Sequence, residues 1–240
     1  MIDLHCHILP GLDDGAPDLD DAVGMALQAL EDGIDTICAT PHVRHDHDVA
    51  IAELPQRVAA LNQELDRRGI DVRIAPGAEV AESALAGLGV AELRSATLGG
   101  GGRWVLLEPD AGPLSDSLEA AVDGLGRDGL RAVIAHPERH AGPDLAERLA
   151  RLVSAGALVQ VTAAFLEHEH TAPVIVALAE RGLVHLLGTD AHSSRAGRPV
   201  SLSGGVAALR ASSRVGGHTE WITCDGPAAI LAGRNVTPPF

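Results

Sequence analysis

Seven short apolar runs, rich in β-branched residues, alternate with longer Ala- and Leu-rich stretches along the chain, at about 1–6, 34–40, 71–78, 103–108, 130–136, 157–163 and 184–190. Strand-length runs separated by helix-length stretches are the pattern of βα units, whose strands lie parallel. Runs such as VLLE, AVIAH and VHLLGTD are apolar on both faces, as parallel strands must be when helices cover one side and packed side chains the other. The first helix shows the logic: Asp18 caps it after Pro17, Ala22, Met25, Ala26, Ala29 and Leu30 form its apolar stripe, and Gly33 closes it. Similar stripes run through 50–68, 114–128, 144–155, 172–182 and 203–213.

Parallel strands of this kind form either an open doubly wound sheet or a barrel, and the residues at their C-terminal ends separate the two. His5 and His7 lie in DLHCH, His42 in ATPHV, Glu79 in PGAEV, Glu108 in LLEP, His136 in AHPER, and Asp190 with His192 in TDAH. Six of the seven runs thus carry a metal-ligating residue near the C-terminal end, the exception being LVQVTAA. An open sheet spreads those ends along a line, whereas a barrel gathers them at one mouth. The pattern predicts an α/β protein, a distorted seven-stranded TIM-like barrel, with residues 1–240 as one domain.

Charge and composition narrow the partners. The net charge of −15, from 33 acidic against 18 basic residues, disfavours nucleic-acid backbones and anionic membranes. No apolar run approaches the ~20 residues that span a bilayer, and MIDLHCH lacks the features of a signal peptide, so a cytoplasmic protein is expected. Cys6, Cys38 and Cys224 form no CxxC pair, which argues against a disulfide framework or a thiolate zinc site. On a strand, Cys6 faces away from His5 and His7 and is expected to be a buried, inert thiol, as is Cys38. The run GLGGGGRW at 98–104 precedes a strand, so it is read as a flexible loop and not as a phosphate-cradling turn. The tail at 234–240 is expected to be loose.

Two residues apart on a strand, His5 and His7 present both imidazoles to one side, and Asp190 with His192 repeats that spacing. Glu79 and Glu108 end apolar strands, where an unpaired carboxylate costs several kcal/mol of desolvation unless a cation meets it. Asp13 and Asp14 in GLDDGA are equivalent at this level: either is the ligand and the other a supporting or solvated residue. Mixed imidazole and carboxylate shells suit manganese, iron or zinc. Arg139, three residues past His136, offers a guanidinium fork for two phosphate oxygens, and in the loop VRHDHD Arg44 is a candidate substrate contact. His140, His168, His170, His185 and His218 are read as surface or packing residues.

The segments DLHCHILPGLDDGA, ATPHV, GAEV, LLEP, AHPER, TDAH and DGPAAILAGRNV together resemble the polymerase and histidinol phosphatase family of metal-dependent phosphoesterases, and within it the bacterial tyrosine-protein phosphatases of the capsule and exopolysaccharide type. That resemblance implies three divalent metal ions, manganese foremost, with iron, zinc or cobalt as alternatives. It implies one ion held by His5, His7, Glu79 and Asp190, a second bridged by Glu79 and held with Glu108 and His136, and a third held by Asp14, His42 and His192. A hydroxide shared between metals then attacks phosphorus in line. Arg139 and an arginine after TDAH bind the phosphate, with Arg198 preferred over Arg195. The implied substrate is a phosphotyrosine-bearing protein tail, such as that of a bacterial tyrosine kinase, and homo-oligomers are compatible with it. Aromatics are scarce, with Phe165 read mainly as a core residue and no tyrosine present, so a small phosphate ester such as histidinol phosphate or a sugar phosphate is the alternative substrate. A catalytically silent metal-binding barrel is the third reading.

Overall fold

The computed structural model describes residues 1–140 and 142–240. The first path of the chain is β1 (Ile2–Cys6), and two further paths are each split in two: β2 (Thr36–Ala39) from β3 (His42–Val43), and β4 (Arg73–Ala75) from β5 (Glu79–Ala81). The remaining four are β6 (Trp104–Glu108), β7 (Arg131–Ala135), β8 (Leu158–Thr162) and β9 (Leu186–Gly188). Seven strand paths are therefore present, with the second and third interrupted at Pro41 and Pro76. Proline has no N–H to give a ladder, so each path bends there and resumes in a different sheet. The result is a parallel three-stranded sheet, β1-β2-β4, and a parallel six-stranded sheet, β3-β5-β6-β7-β8-β9. The first and last paths meet at a seam: Cys6 bridges Ala191, the His7 N–H donates to the Ala191 carbonyl at 2.9 Å, and the Asp190 N–H to the His5 carbonyl at 2.8 Å.

Around the strands run α1 (Leu19–Asp32), α2 (Leu54–Arg68), α3 (Val90–Ser95), α4 (Asp116–Arg127), α5 (Leu145–Ser154), α6 (Ala172–Glu180), α7 (Ser203–Leu209) and α8 (Gly226–Leu231). In α1 the Asp18 carboxylate accepts from the Asp21 N–H and Gly33 closes the helix at φ 79°, as its sequence predicts. The stretch expected to be helical to residue 213 stops at Leu209. Alternate strand residues sort into two apolar clusters. Leu106, Val133, Leu158 and Leu186 face inward with Leu98 and Ile230, whereas Leu107, Ile134, Val159 and Leu187 pack against the helices. In β1 the register shifts between Asp3 and Cys6, so Leu4 belongs to the inner cluster and Cys6 to the outer. That shift leaves His5 and His7 buried among the other strand ends while Cys6 faces away from them, as expected.

Two local expectations are corrected. The tail does not hang free: Phe240 lies 5.8 Å from Trp221 edge to face and 6.1 Å from His185, and the Trp104 indole donates to the Arg234 carbonyl at 2.8 Å. The glycine run is likewise packed, because Gly101 approaches Gly233 so closely that an added Cβ would lie 2.6 Å from its nitrogen. Glycine is needed there for close approach rather than for flexibility. Cys6 and Cys38 are buried, and burial pushes the Cys38 thiol up to about 12, consistent with inert packing. His185 is buried too; burial holds it down to about 4, and its Nδ1 accepts from the Val159 N–H. Among the described residues, no helix is long and apolar enough to cross a membrane.

Candidate metal centre

Register and alternation bring the strand ends together. His42 pairs with Glu79 across β3 and β5, and Glu108 ends the next strand opposite Ala81. His5 Nε2 lies 3.2 Å from Glu79 Oε2, 3.3 Å from His7 Nε2 and 3.5 Å from Asp190 Oδ1. Glu79 also approaches His7 Nε2 at 3.3 Å, His42 Nδ1 at 3.1 Å and, through Oε1, His136 Nε2 at 3.0 Å. Nearer solvent, Asp14 Oδ1 stands 3.5 Å from both His42 Nε2 and His192 Nε2, and the His192 ring stacks on His7 at 4.0 Å. All nine candidate ligands of the sequence thus surround one mouth. Side-chain proximity keeps part of the expected shells, grouping His5, His7 and Glu79, and Asp14, His42 and His192 with His7 added, and regroups the rest, His42 with Glu79 and Glu108, and His136 with His5 and Asp190.

The hydrogen bonds behind these residues test whether a cation fits. His5 Nδ1 faces the Gln160 amide oxygen at 2.8 Å, His7 Nδ1 the Asp13 carboxylate at 2.8 Å, and His192 Nδ1 the Asp190 carbonyl at 3.0 Å. Each acceptor draws the ring proton to Nδ1 and leaves a lone pair on Nε2. Those lone pairs aim at one another and at the Glu79 and Asp190 carboxylates, so acceptors outnumber donors in the mouth. Glu79 Oε2, His42 Nδ1 and His136 Nδ1 are buried without a hydrogen-bond partner. Ligand atoms sharing one ion at about 2.1 Å sit roughly 3.0–3.4 Å apart, close to the spacings within this cluster. The donor set fits divalent cations.

Electrostatics agree. Burial holds the imidazoles of His42 and His192 down to about 3 and that of His136 to about 4, which keeps them in the neutral, ligating form. Burial opposes charge on Glu79 as well, but the charge of the adjacent His5 imidazole, and then hydrogen bonds from His136, His5 and His7, hold its carboxyl well below the usual range. Burial and the Glu79 charge push Glu108 up to about 7. At His7, burial is overcome by Asp13 and Glu79, which raise the imidazole to about 9: with no metal, a proton supplies the positive charge the carboxylates seek. Backbone geometry carries the same mark. Among the described residues, His136 (φ 30°) and Asp190 (φ 49°) are the non-glycine positions with positive φ, a conformation that costs about 1–3 kcal/mol each and persists where the surroundings impose it.

Several supporting residues escape a reading of strand ends. Gln160 sits in β8, on the strand that lacked a terminal ligand, and faces inward with Leu158. Its carbonyl orients His5, and Gly188 makes room, since a Cβ there would lie 2.7 Å from the amide nitrogen and 2.8 Å from His5 Cβ. Asp13, left equivalent to Asp14 by the sequence, accepts from the His42 N–H at 2.9 Å as well as orienting His7, while the Asp14 carboxylate is half exposed at the mouth. Asp3 is buried beneath, holding the Thr189 and His5 N–H groups, each at 3.1 Å. The signal that finds Gln160 is alternation: a lone amide between valines on an inward face needs a polar partner. Substituting Gln160→Leu is expected to weaken metal binding about 10–100-fold, with Gln160→Glu restoring much of it, because a carboxylate also accepts from Nδ1. Titration of the metal-free protein by calorimetry checks this, and unchanged affinity in Gln160→Leu would remove the role.

The arginines line the rim. Arg139 pairs with the Asp190 carboxylate, and Arg198 reaches the same carboxylate at 3.0 Å and the Asp190 carbonyl through Nε at 2.9 Å. Both guanidiniums face the half-buried Phe165 ring, at 5.3 and 5.7 Å from its centroid, so Phe165 packs on the core edge and also props the pair. Arg195 instead binds the Asp18 cap of α1 with two hydrogen bonds. Arg44 lies opposite Glu108 at 3.6 Å and is tied to Asp46 at 2.7 Å. Beside the mouth opens a cleft of about 710 Å³ lined by Arg44, Glu108, His136, Arg139 and His140; His140 is buried, with Nδ1 on the Gly112 carbonyl at 2.8 Å.

A TIM-barrel-like α/β fold whose mouth carries cation-seeking donors, flanked by two anion-binding arginines, is the frame of a metal-dependent phosphoesterase. Residues 1–232 match the family described as capsular polysaccharide synthesis, CpsB/CapC, and the chain belongs to it. It is 33% identical over 209 residues to the tyrosine-protein phosphatase YwqE of Bacillus subtilis (strain 168), covering 80% of this chain and 78% of that protein. It is 26% identical over 200 residues to the putative tyrosine-protein phosphatase CapC of Staphylococcus aureus, covering 80% and 77%. A crystal structure from the pair YwqE of Bacillus subtilis and CpsB of Streptococcus pneumoniae, described as metal-dependent tyrosine phosphatases, superposes with a TM-score of 0.84 at 27% identity, covering 99% of this chain and 97% of that one. A histidinol phosphate phosphatase from Lactococcus lactis shares the fold, with a TM-score of 0.58 at 15% identity over 88% of this chain and 93% of its own.

Proposed function

We propose that the chain is a metal-dependent phosphomonoesterase that hydrolyses phosphotyrosine in protein tails. The observation that carries this reading is the convergence of bare imidazole and carboxylate acceptors within 3.0–3.6 Å beneath a pair of arginines. In this reading three divalent ions, manganese first among candidates, are held as follows: one by His5, His7, Glu79 and Asp190, one by Glu79, Glu108 and His136, and one by Asp14, His42 and His192. Bound there, such ions supply Lewis-acid charge and make water nucleophilic near neutral pH. The chain's own residues do the rest. Arg139 and Arg198, spaced by Phe165, exchange Asp190 for two phosphate oxygens and orient the ester for in-line attack. Gln160 and Asp13 keep His5 and His7 in the ligating tautomer. Arg44 contacts the substrate from the opposite rim. The relatives named as tyrosine phosphatases support phosphotyrosine over small esters, and a cytoplasmic kinase tail is the natural source of it.

Metal-loaded protein is expected to release phosphate from phosphotyrosine peptides with a higher kcat/KM than from histidinol phosphate or sugar phosphates. Arg198→Ala is expected to lower that kcat/KM about a hundredfold, through loss of a charge-assisted phosphate contact, while Arg195→Ala leaves it within about twofold. Hydrolysis confined to small esters would replace the substrate reading, and equal effects of the two variants would undo the arginine assignment.

A further inference from the structure

The cleft beside the mouth continues into a second depression of about 500 Å³, and the two share Ser83 and Asp110 in their walls. The floor of this second groove is apolar. Leu85, Leu88 and Val90 form one side, with Val90 40% exposed, and the small Ala120 and Ala121 of α4 form the other. The acidic residues Glu82, Asp110 and Asp128 stand in its walls, and among the described residues no Lys, Arg or His lines it. Glu82 accepts from the Ser117 hydroxyl and Asp110 from the Ser83 N–H at 3.2 Å, whereas Asp128 is engaged through its backbone: its carbonyl accepts from Arg94 at 2.7 Å. The cleft next to the mouth is mixed in charge: Arg44 and Arg139 line it together with Asp46, Glu108 and Asp110.

We propose that this groove is a subsite for the substrate residues adjoining the phosphotyrosine, and that it takes a segment combining an aliphatic side chain with Arg or Lys. The proposal rests on the phosphotyrosine reading above and adds a sequence preference to it. Continuity with the cleft commits the occupant: a chain whose phosphate lies under Arg139 and Arg198 leaves along the cleft and meets Asp110 where the two depressions join. Charge complementarity sets its sign. An anionic phosphotyrosine beside a cationic flank matches Arg139 and Arg198 at the mouth and the acidic groove in turn, while an acidic flank meets Glu82, Asp110 and Asp128 and an overall charge of −15. The apolar floor asks for a Leu, Ile or Val side chain between them, and the small residues on α4 let its backbone approach.

The test compares kcat/KM of the metal-loaded enzyme on free phosphotyrosine, on phosphotyrosine peptides with a Leu- and Arg-bearing block on either side, and on twins with Glu in place of Arg. The Arg peptide in one orientation is expected to exceed its Glu twin about tenfold at low salt and to lose most of that margin at high salt. Asp128→Lys and Val90→Lys, both at exposed positions, are each expected to reduce the margin to about twofold while leaving free phosphotyrosine turnover unchanged. Fluorescence anisotropy with the same labelled peptides reads binding apart from hydrolysis. A preserved binding preference without turnover of any phosphotyrosine substrate would overturn the phosphatase reading and uphold the groove. Equal kcat/KM and equal binding for the twins, or a margin that survives both variants, would overturn the groove.

Discussion

Glu79→Gln is expected to release most of the bound metal and to lower phosphate release about a thousandfold, the loss that several kcal/mol of transition-state stabilisation implies. The carboxylate is fully buried and touches four imidazoles, those of His5, His7, His42 and His136, at 3.0–3.3 Å. Asp190 has more partners in all but meets three imidazoles, those of His5, His7 and His192, at 3.5–3.6 Å. An amide of the same shape keeps the packing but replaces one acceptor oxygen by an NH2 group, which donates to a histidine lone pair and neutralises the site without a cation. The fold should therefore persist, with near-wild-type far-ultraviolet circular dichroism, while metal per chain measured by elemental analysis falls together with activity. Full metal content in Glu79→Gln would show that this residue does not bridge the proposed ions.

Stripping metal from the wild-type protein with a chelator is expected to abolish phosphate release and to lower the midpoint of thermal unfolding by about 10 °C, with both recovered on adding manganese. Ions bound at a thousand times their dissociation constant stabilise the native state by roughly 4 kcal/mol, and each kcal/mol shifts the midpoint about 2–4 °C in a chain of this size. The mouth gives that number a structural cause. Without cations it contains converging lone pairs, an ionised Glu79 at zero exposure, and two ligand-bearing residues held at φ 30° and 49°. Calorimetry of the stripped and reloaded protein measures the shift. Activity that survives complete removal of metal would end the metallophosphatase reading.

The seven strand paths and the helices between them were legible because strand length, β-branching and apolar stripes all agree along this chain. Their division into two sheets was not, although its cause is written in the sequence: Pro76 falls inside the run at 71–78, and Pro41 stands between the run at 34–40 and the His42–Val43 strand that continues its path. Candidate ligands were legible for a different reason, since a carboxylate or imidazole ending an apolar strand has no inexpensive alternative. Gln160 was not, because an amide in the middle of a strand carries no such penalty once it finds one partner, and that partner, His5, lies 155 residues away. The choice between Arg195 and Arg198 depended on the path of a loop: one arginine turns back to the Asp18 cap and the other toward Asp190. The packed tail is a similar case, since Phe240 gains its place only from His185 and Trp221, which the fold brings beneath it.

The seam between residues 6 and 191 also fixes an order of events during synthesis. A ribosome delivers His5 and His7 early, but the segment that supplies Asp190, His192 and the backbone partners of His5 and His7 emerges only when most of the chain has been made. Until then the early histidines and Glu79 belong to an unfinished sheet with one open edge, and pairing across so long a separation in sequence is slow. On the proposed ligand set, metal uptake is therefore expected to be a late step in the life of the nascent protein, following the arrival of the final strand. A chain interrupted before that strand has its first candidate ligands but no mouth in which to gather them.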